Sequence, residues 1–428
     1  MEINLKSYYI IILLILSITG AQNLYAQDFR ATKIIRYNFD SVMRAEQARK
    51  KLAMLPKRDS IKLLINSLPA DTAINLRFAG YYLDTLPDLF RFHSLKEINF
   101  SDNDIQKTNK ADFKSPRLRT IDLAKNRISK IGFPVNDSVR YLYLSGNLLK
   151  KIPHSIKKLK NLEILGLANN QISRIPHFLK KMKHLKEIDL SGNKLSRLKR
   201  SYPIRLKHIQ KVLMVGNHIS TLPATIGRMK YVTSLNFSKN DLSSLPEQFG
   251  ALKNLRHLLF YENKFRQIPA CIFKLTKLKE LDFYYNQIDS VPPQISNLVN
   301  LEQLYLSYNN IQALPESMGS LKHLKYIYVH NNKLTFLPSW VDELQSLQRI
   351  GFGHNELIRI PDFSKLHTLT DLDLQSNNID RFPWKMLNSK TLKLLYIQNN
   401  PLILSSSDRD RLEKERNELQ QKGVVINY

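Results

Sequence analysis

The chain has 428 residues, 43% of them hydrophobic, with 65 Lys and Arg against 37 Asp and Glu and a net charge of +28. Its single cysteine, Cys271, excludes a disulfide within the chain and any cysteine cluster for a metal. A field of this sign draws in acidic partners and speeds their encounter, most strongly at low salt.

Residues 1–26 read as a secretory signal: Lys6 precedes an apolar run from Tyr8 to Ile18, and the small residues Gly20, Ala21 and Ala26 follow. The run is shorter than the roughly 20 residues that a comfortable membrane span needs. Cleavage is expected after Ala26, with Ala21 as the alternative, and an uncleaved N-terminal anchor is the competing reading. No Cys lies nearby to carry a lipid. Residues 27–72 are expected to form an N-terminal helical cap. Asp40 or Ser41 would start one helix and Asp59 a second through Ile61, Leu64 and Ile65.

From 73 to 404 one pattern recurs about every 23 residues. In one unit Leu278, Leu281, Phe283, Asn286, Ile288 and Val291 stand as L-x-x-L-x-L-x-x-N-x-L-x-x-L, followed by Pro292, Ile295 and Leu298. The L-x-L pair has period two, so both residues point to one face of a short strand. The Asn falls where the chain must turn inside a stack, and its amide can satisfy enclosed backbone groups. The Asn column is Asn103, Asn126, Asn147, Asn170, Asn193, Asn217, Asn240, Asn263, Asn286, Asn309, Asn332, Asn355, Asn377 and Asn400. Each is expected to stack on the next. Pro292 suits the first position of a short helix, and the spacing of three beyond it suits a 3₁₀ or short α segment on the outer side. This pattern resembles the leucine-rich repeat, in the 23-residue LPxxIxxLxxL variety of many bacterial proteins and of the Ras-related intracellular group of plants and animals. The fold expected is an α/β solenoid of about fifteen turns, with a curved parallel inner sheet and short 3₁₀, helical or extended outer segments.

Two turns break the pattern. The one from Ile128 to Leu144 is shortened to 21 residues, and the one from Leu198 to Val212 is lengthened to 24 and strongly basic. From Lys150 to Lys211, seventeen basic residues face Glu163, Glu187 and Asp189, leaving +14. The outer segments hold Lys157, Lys158, Lys160, Lys180, Lys181, Lys183, Lys199, Arg200, Arg205 and Lys207, a candidate patch for an anionic glycan or lipid surface. Solubility alone accounts for such a patch equally well. Residues 405–428 are expected to close the coil with a helix, capped by Ser407 and Asp410 and ended by Gly423, and a strand through Val424 and Ile426.

Residues between the core leucines face the inner curve. There His257, Tyr261, Tyr284, Tyr285, Tyr305, Tyr308, Tyr326, Tyr328, His330 and His354 gather in neighbouring turns, with Glu262, Glu280, Asp282 and Glu302 beside them. Tyrosine combines apolar area with a hydroxyl at small entropic cost, which suits a binding surface, although it also suits exposed strands generally. Five turns at about 4.8 Å make a face roughly 20 Å wide, room for a peptide or a protein edge.

No G-x-S-x-G, H-E-x-x-H, G-x-x-x-x-G-K-[ST] or CxxC motif is present, so no enzyme, cofactor or metal is expected. The resemblance implies a non-catalytic scaffold that holds a protein or glycan on its inner curve. The absence of cysteine-rich caps leans toward a bacterial, exported protein, in the periplasm, at the surface or outside the cell. A structural or adhesive envelope protein acting through its basic surface is the alternative, and nucleic acid is the weaker candidate.

Overall fold

A computed structural model describes residues 58–70, 73–361, 363–421 and 424–427. The expected signal, the helix from Asp40 or Ser41, and Gly423 lie outside the described residues. The chain divides into two compact units, Met1–Ile65 and Asn66–Tyr428. A helix runs over 58–67. Asp59, expected as its cap, lies within the helix, where its carboxylate is 3.2 Å from Arg58 Nε.

The second unit is one parallel sheet of sixteen three-residue strands in strict chain order, from Asn75–Arg77 to Val425–Asn427. The register never slips: Leu281, Leu304 and Ile327 pair in line, and so do Asp282, Tyr305 and Tyr328. Period-two patterning causes this, because a slip of one residue would turn every buried leucine to water. Middle residues such as Leu281 and Ile327 are fully buried, while their strand neighbours are half-buried on the curved open face. Behind the sheet a run of phenylalanines fills the coil; Phe260 packs on Phe237, Phe265 and Phe283 with ring centroids 6.2, 5.0 and 5.4 Å away.

Opposite the sheet, most turns carry a five-residue 3₁₀ helix such as Ala224–Arg228 or Glu316–Ser320, entered from a proline. Pro292 stands just before the helix Pro293–Asn297, at φ −71° and ψ 149°, rather than at its first position. Pro223, Pro246, Pro269, Pro315 and Pro338 take the same place with no second proline after them, so the position belongs to the repeat, the ring fixing φ where the chain enters the helix. The 21-residue turn has no such helix. Asn136 does the bridging instead, donating from Nδ2 to the carbonyls of Phe113 at 3.0 Å and Ser115 at 2.9 Å. In the 24-residue turn a short α-helix, Ser201–Arg205, replaces the 3₁₀ segment.

The asparagine column satisfies enclosed backbone groups turn after turn. Asn240 Nδ2 donates to the carbonyls of Met214, Phe237 and Ser238 at 2.8, 2.9 and 3.0 Å, and its Oδ1 accepts from the Ile219 N–H at 3.0 Å. The same set recurs from Asn103 to Asn400, each amide reaching into the turn before its own. One amide presents one acceptor and two donors, so a single side chain serves a buried N–H and several carbonyls at once.

The residue before every one of these asparagines is left-handed. Asp102, Lys125, Gly146, Asn169, Gly192, Gly216, Lys239, Glu262, Tyr285, Tyr308, Asn331, His354, Ser376 and Asn399 all have φ between 51° and 68°. This hinge sends the chain away from the sheet while its N–H still bonds to the next turn, as Tyr308 does to the His330 carbonyl at 2.8 Å.

At the far end, the helix Ser406–Gln421 is capped two residues earlier than the sequence suggested. Ser405 Oγ accepts from the Asp408 N–H at 3.1 Å, and Asp408 Oδ2 accepts from the Ser405 N–H at 3.1 Å. Both SxxD spacings are present, and the earlier one coincides with the point where the chain leaves the last full turn. The strand Val425–Asn427 then adds to Leu394–Tyr396.

Candidate functional site on the inner face

The strands His257–Leu259, Glu280–Asp282, Gln303–Tyr305, Tyr326–Tyr328 and Arg349–Gly351 are successive neighbours, and they lay out the aromatic residues of the inner face in two groups. On the strands themselves, the rings of Tyr305 and Tyr328 stack 5.5 Å apart at 4°, and His330 continues the stack 5.9 Å from Tyr328. Direct cross-strand pairing of the two tyrosines produces this parallel arrangement. Tyr305 Oη donates to Gln303 Oε1 at 2.8 Å, and Tyr326 Oη to Gln348 Oε1 at 3.2 Å, which fixes both rings. Arg349 lies 5.8 Å from the Tyr326 ring.

The second group runs along the turns at the edge of the sheet. Tyr285 and Tyr308 occupy the left-handed hinge and stack 4.1 Å apart at 13°. Tyr284 touches both, at 4.8 and 5.3 Å, and packs on Tyr261 at 5.3 Å. Tyr285 and Tyr308 are 43% and 36% exposed, high values for rings in mutual contact. Burial pushes the hydroxyls of Tyr284, Tyr285 and Tyr305 up to about 12, reinforced at Tyr284 and Tyr285 by neighbouring tyrosines and at Tyr305 by Glu280. They stay neutral donors through the physiological range.

The carboxylates expected beside the tyrosines are drawn to separate partners. His257 Nδ1 lies 2.9 Å from Glu280 Oε2. Glu302 is gripped by Lys279 at 2.6 Å and Lys325 at 2.9 Å, and these bonds hold it down at about 2. Glu262 lies 3.5 Å from Lys239. Asp282 differs: burial raises its carboxyl to about 6, with Glu280 adding to the rise, even though its Oδ1 accepts from the Tyr284 N–H at 2.8 Å. His330 is pushed down chiefly by burial, despite Asp373 at 3.7 Å. His354 sits on the hinge of its turn, and its charge opposes protonation of His330.

Gly351 belongs to this site, and sequence reasoning did not single it out. A Cβ built there would fall 2.1 Å from His330 Nε2 and 2.6 Å from Tyr328 Cδ1, so only glycine lets those rings lie flat on the sheet. A glycine inside a strand, between aromatic turns, was the available signal. Gln303, Gln348 and Arg349 were missed as well, because their role is visible only once the turns are stacked.

The basic residues lie on the opposite side. Lys157 and Lys158 end the helix His154–Lys158, Lys180 and Lys181 end His177–Lys181, and Arg205 ends Ser201–Arg205. Lys157, Lys160, Lys180, Lys181, Lys183, Lys199, Arg200 and Lys207 are exposed. Lys158 is half-buried, its ammonium pulled down by Lys110. Arg205 is also half-buried: it donates to the Ile175 carbonyl and packs against Tyr202. Glu163 is taken by Lys186 at 2.7 Å and Glu187 by Lys211 at 3.0 Å, so the few local acids leave the outer lysines uncompensated.

With this geometry in place, the comparisons agree on the class. Residues 270–372 match a leucine-rich repeat region model, residues 116–172 and 137–195 a leucine rich repeat model, and residues 365–380 a third such model. The fold is a leucine-rich repeat solenoid. A leucine-rich repeat protein of Leptospira interrogans is similar over 84% of this chain and 97% of its own, with 25% identity and a TM-score of 0.75. A TDR receptor is similar over 83% of this chain, with 25% identity and a TM-score of 0.66. The plant peptide hormone receptor RGFR1, solved in complex with RGF2, is similar over 76% of this chain, with 27% identity and a TM-score of 0.56. The chain spans 63% and 59% of those two receptor chains. No curated protein matches significantly. Among the described residues, no helix is long and apolar enough to cross a membrane.

Proposed function

We propose that this protein is a non-catalytic recognition scaffold that holds a protein partner, presented as a peptide or an exposed edge, on the inner face between Tyr261 and His354. The observation that carries this reading is the pair of tyrosine stacks, Tyr285 on Tyr308 and Tyr305 on Tyr328, in adjoining turns. Stacked rings give up little further freedom when a partner covers them, and their hydroxyls remain donors. The similarity to a receptor solved with a peptide hormone supports a peptide-sized partner. The apolar run from Tyr8 to Ile18 supports export, and with it a partner met outside the cytoplasm.

The test is capture from the native envelope or medium on the immobilised full chain, with retained proteins identified by mass spectrometry and their affinities measured. The double substitution Tyr305→Ala, Tyr328→Ala is expected to weaken the specific partner by about a hundredfold, as loss of two central aromatic anchors does. Unchanged affinity would refute the assignment.

A further inference from the structure

The outer side holds a cleft of about 460 Å³ where the outer segments of three successive turns meet. Lys151, Arg174, Lys199 and Arg205 line it together with His154, and no carboxylate does. Among the described residues, no ion pair engages any of these four cations. Its floor is apolar: Ile152, Ile175, Phe178 and Tyr202 are all less than a tenth exposed. The 24-residue turn builds one wall, because its α-helix seats Tyr202 there at 3% exposure.

Arg205 is pinned rather than neutralised. It donates to the Ile175 carbonyl and lies 5.3 Å from the Tyr202 ring, while its Nε finds no hydrogen-bond acceptor. The His154 ring stands edge-on to Phe178 at 5.4 Å. Like charges held around one concavity repel each other unless an anion joins them, and guanidinium forks match phosphate oxygens. Phe178 and Tyr202 line the cleft beside the cations and give a small ring apolar contact there. The volume falls within the range of small-ligand sites, roughly 300–1,000 Å³, and is too small for a folded partner.

We propose that this cleft is a binding site for a phosphorylated sugar, the phosphate held by Arg174, Lys199 and Arg205 and the sugar ring lying against Tyr202 and Phe178. The site is separate from the inner face and does not depend on the partner read there. Such a group reaches the cleft either as a free sugar phosphate or as the head group of a lipid.

The experiment is calorimetric titration of the full chain at low salt with glucose 6-phosphate, glucose and inorganic phosphate. In parallel, binding is measured to phosphatidylcholine vesicles with and without phosphatidylinositol 4-phosphate. Arg174→Gln with Lys199→Gln, both exposed, is compared with Lys180→Gln with Lys181→Gln, which removes equal charge outside the cleft. Glucose 6-phosphate or the phosphoinositide vesicle is expected to bind, and the cleft pair to weaken it by about tenfold or more, the effect of removing charge-assisted bonds. The outer pair should change it by less than about threefold, the effect of a screened field alone. Response to the soluble compound identifies a free ligand, and response to the vesicle alone a lipid-borne one. Binding in neither arm, equal loss from both pairs, or inorganic phosphate binding as tightly as glucose 6-phosphate would overturn the proposal.

Discussion

At the scale of single residues, the asparagine column shows how much one side chain can hold. Asn240 meets three carbonyls and one N–H with a single amide, and it is buried. Asn240→Ala leaves those groups without partners and is expected to cost about 1–3 kcal/mol in chemical denaturation, more than alanine at the open-face Asn236. Asp282 makes a pH-dependent case. Its folded carboxyl sits at about 6, above the usual 3.8, so folding favours the protonated form. Stability is therefore reduced above pH 6 and recovers as the pH falls toward 4. Asp282→Asn keeps the acceptor for the Tyr284 N–H and removes the charge. It is expected to stabilise at pH 7.5 by on the order of 1–3 kcal/mol, a gain that disappears near pH 4 when melting is followed across pH. The carboxylates of this face read alike in the sequence, because only packing distinguishes a lysine-clamped Glu302 from a half-buried Asp282.

At the scale of the repeated element, strand and asparagine positions were legible because both answer to fixed periods. The left-handed hinge was not, since Lys125, Glu262, Tyr285 and His354 give no common residue type there. The signal was diluted but present: Gly146, Gly192, Gly216, Asn169, Asn331 and Asn399 share the column, and these are the residue types that tolerate positive φ. Where a Cβ is forced into this conformation, relief is available. Lys239→Gly is expected to offset about 1 kcal/mol of hinge strain, so its thermal midpoint should not fall, whereas the same change at the open-face Ser234 should lower it. The tyrosine groups were legible as a cluster but not as two stacks, because the hinge carries Tyr285 and Tyr308 off the strand face. Their hydroxyls give a direct readout. Tyr284, Tyr285 and Tyr305 are expected to contribute a late phase near 12 in an absorbance titration. Phenylalanine at all three should shrink that late phase.

At the scale of the molecule, the sheet and the outer segments divide the chemistry between two sides. The strands carry aromatics placed by Gln303, Gln348 and Gly351, and the outer segments carry exposed lysines such as Lys157, Lys180 and Lys181. The sequence announced both sets, since an inner column and an outer column can be counted once the repeat is phased. It could not show that Arg205 leaves the exposed patch to line a cleft, because that follows from the helix formed in the lengthened turn. The measurement that tests the central claim most directly is hydroxyl-radical footprinting of the full chain with and without its captured partner, read residue by residue by mass spectrometry. The account predicts protection of Tyr284, Tyr285, Tyr305, Tyr308 and Tyr328, with His177 and the outer segments around it unchanged. Protection confined to the outer segments between 150 and 211, with those tyrosines as reactive as in the free chain, would contradict it.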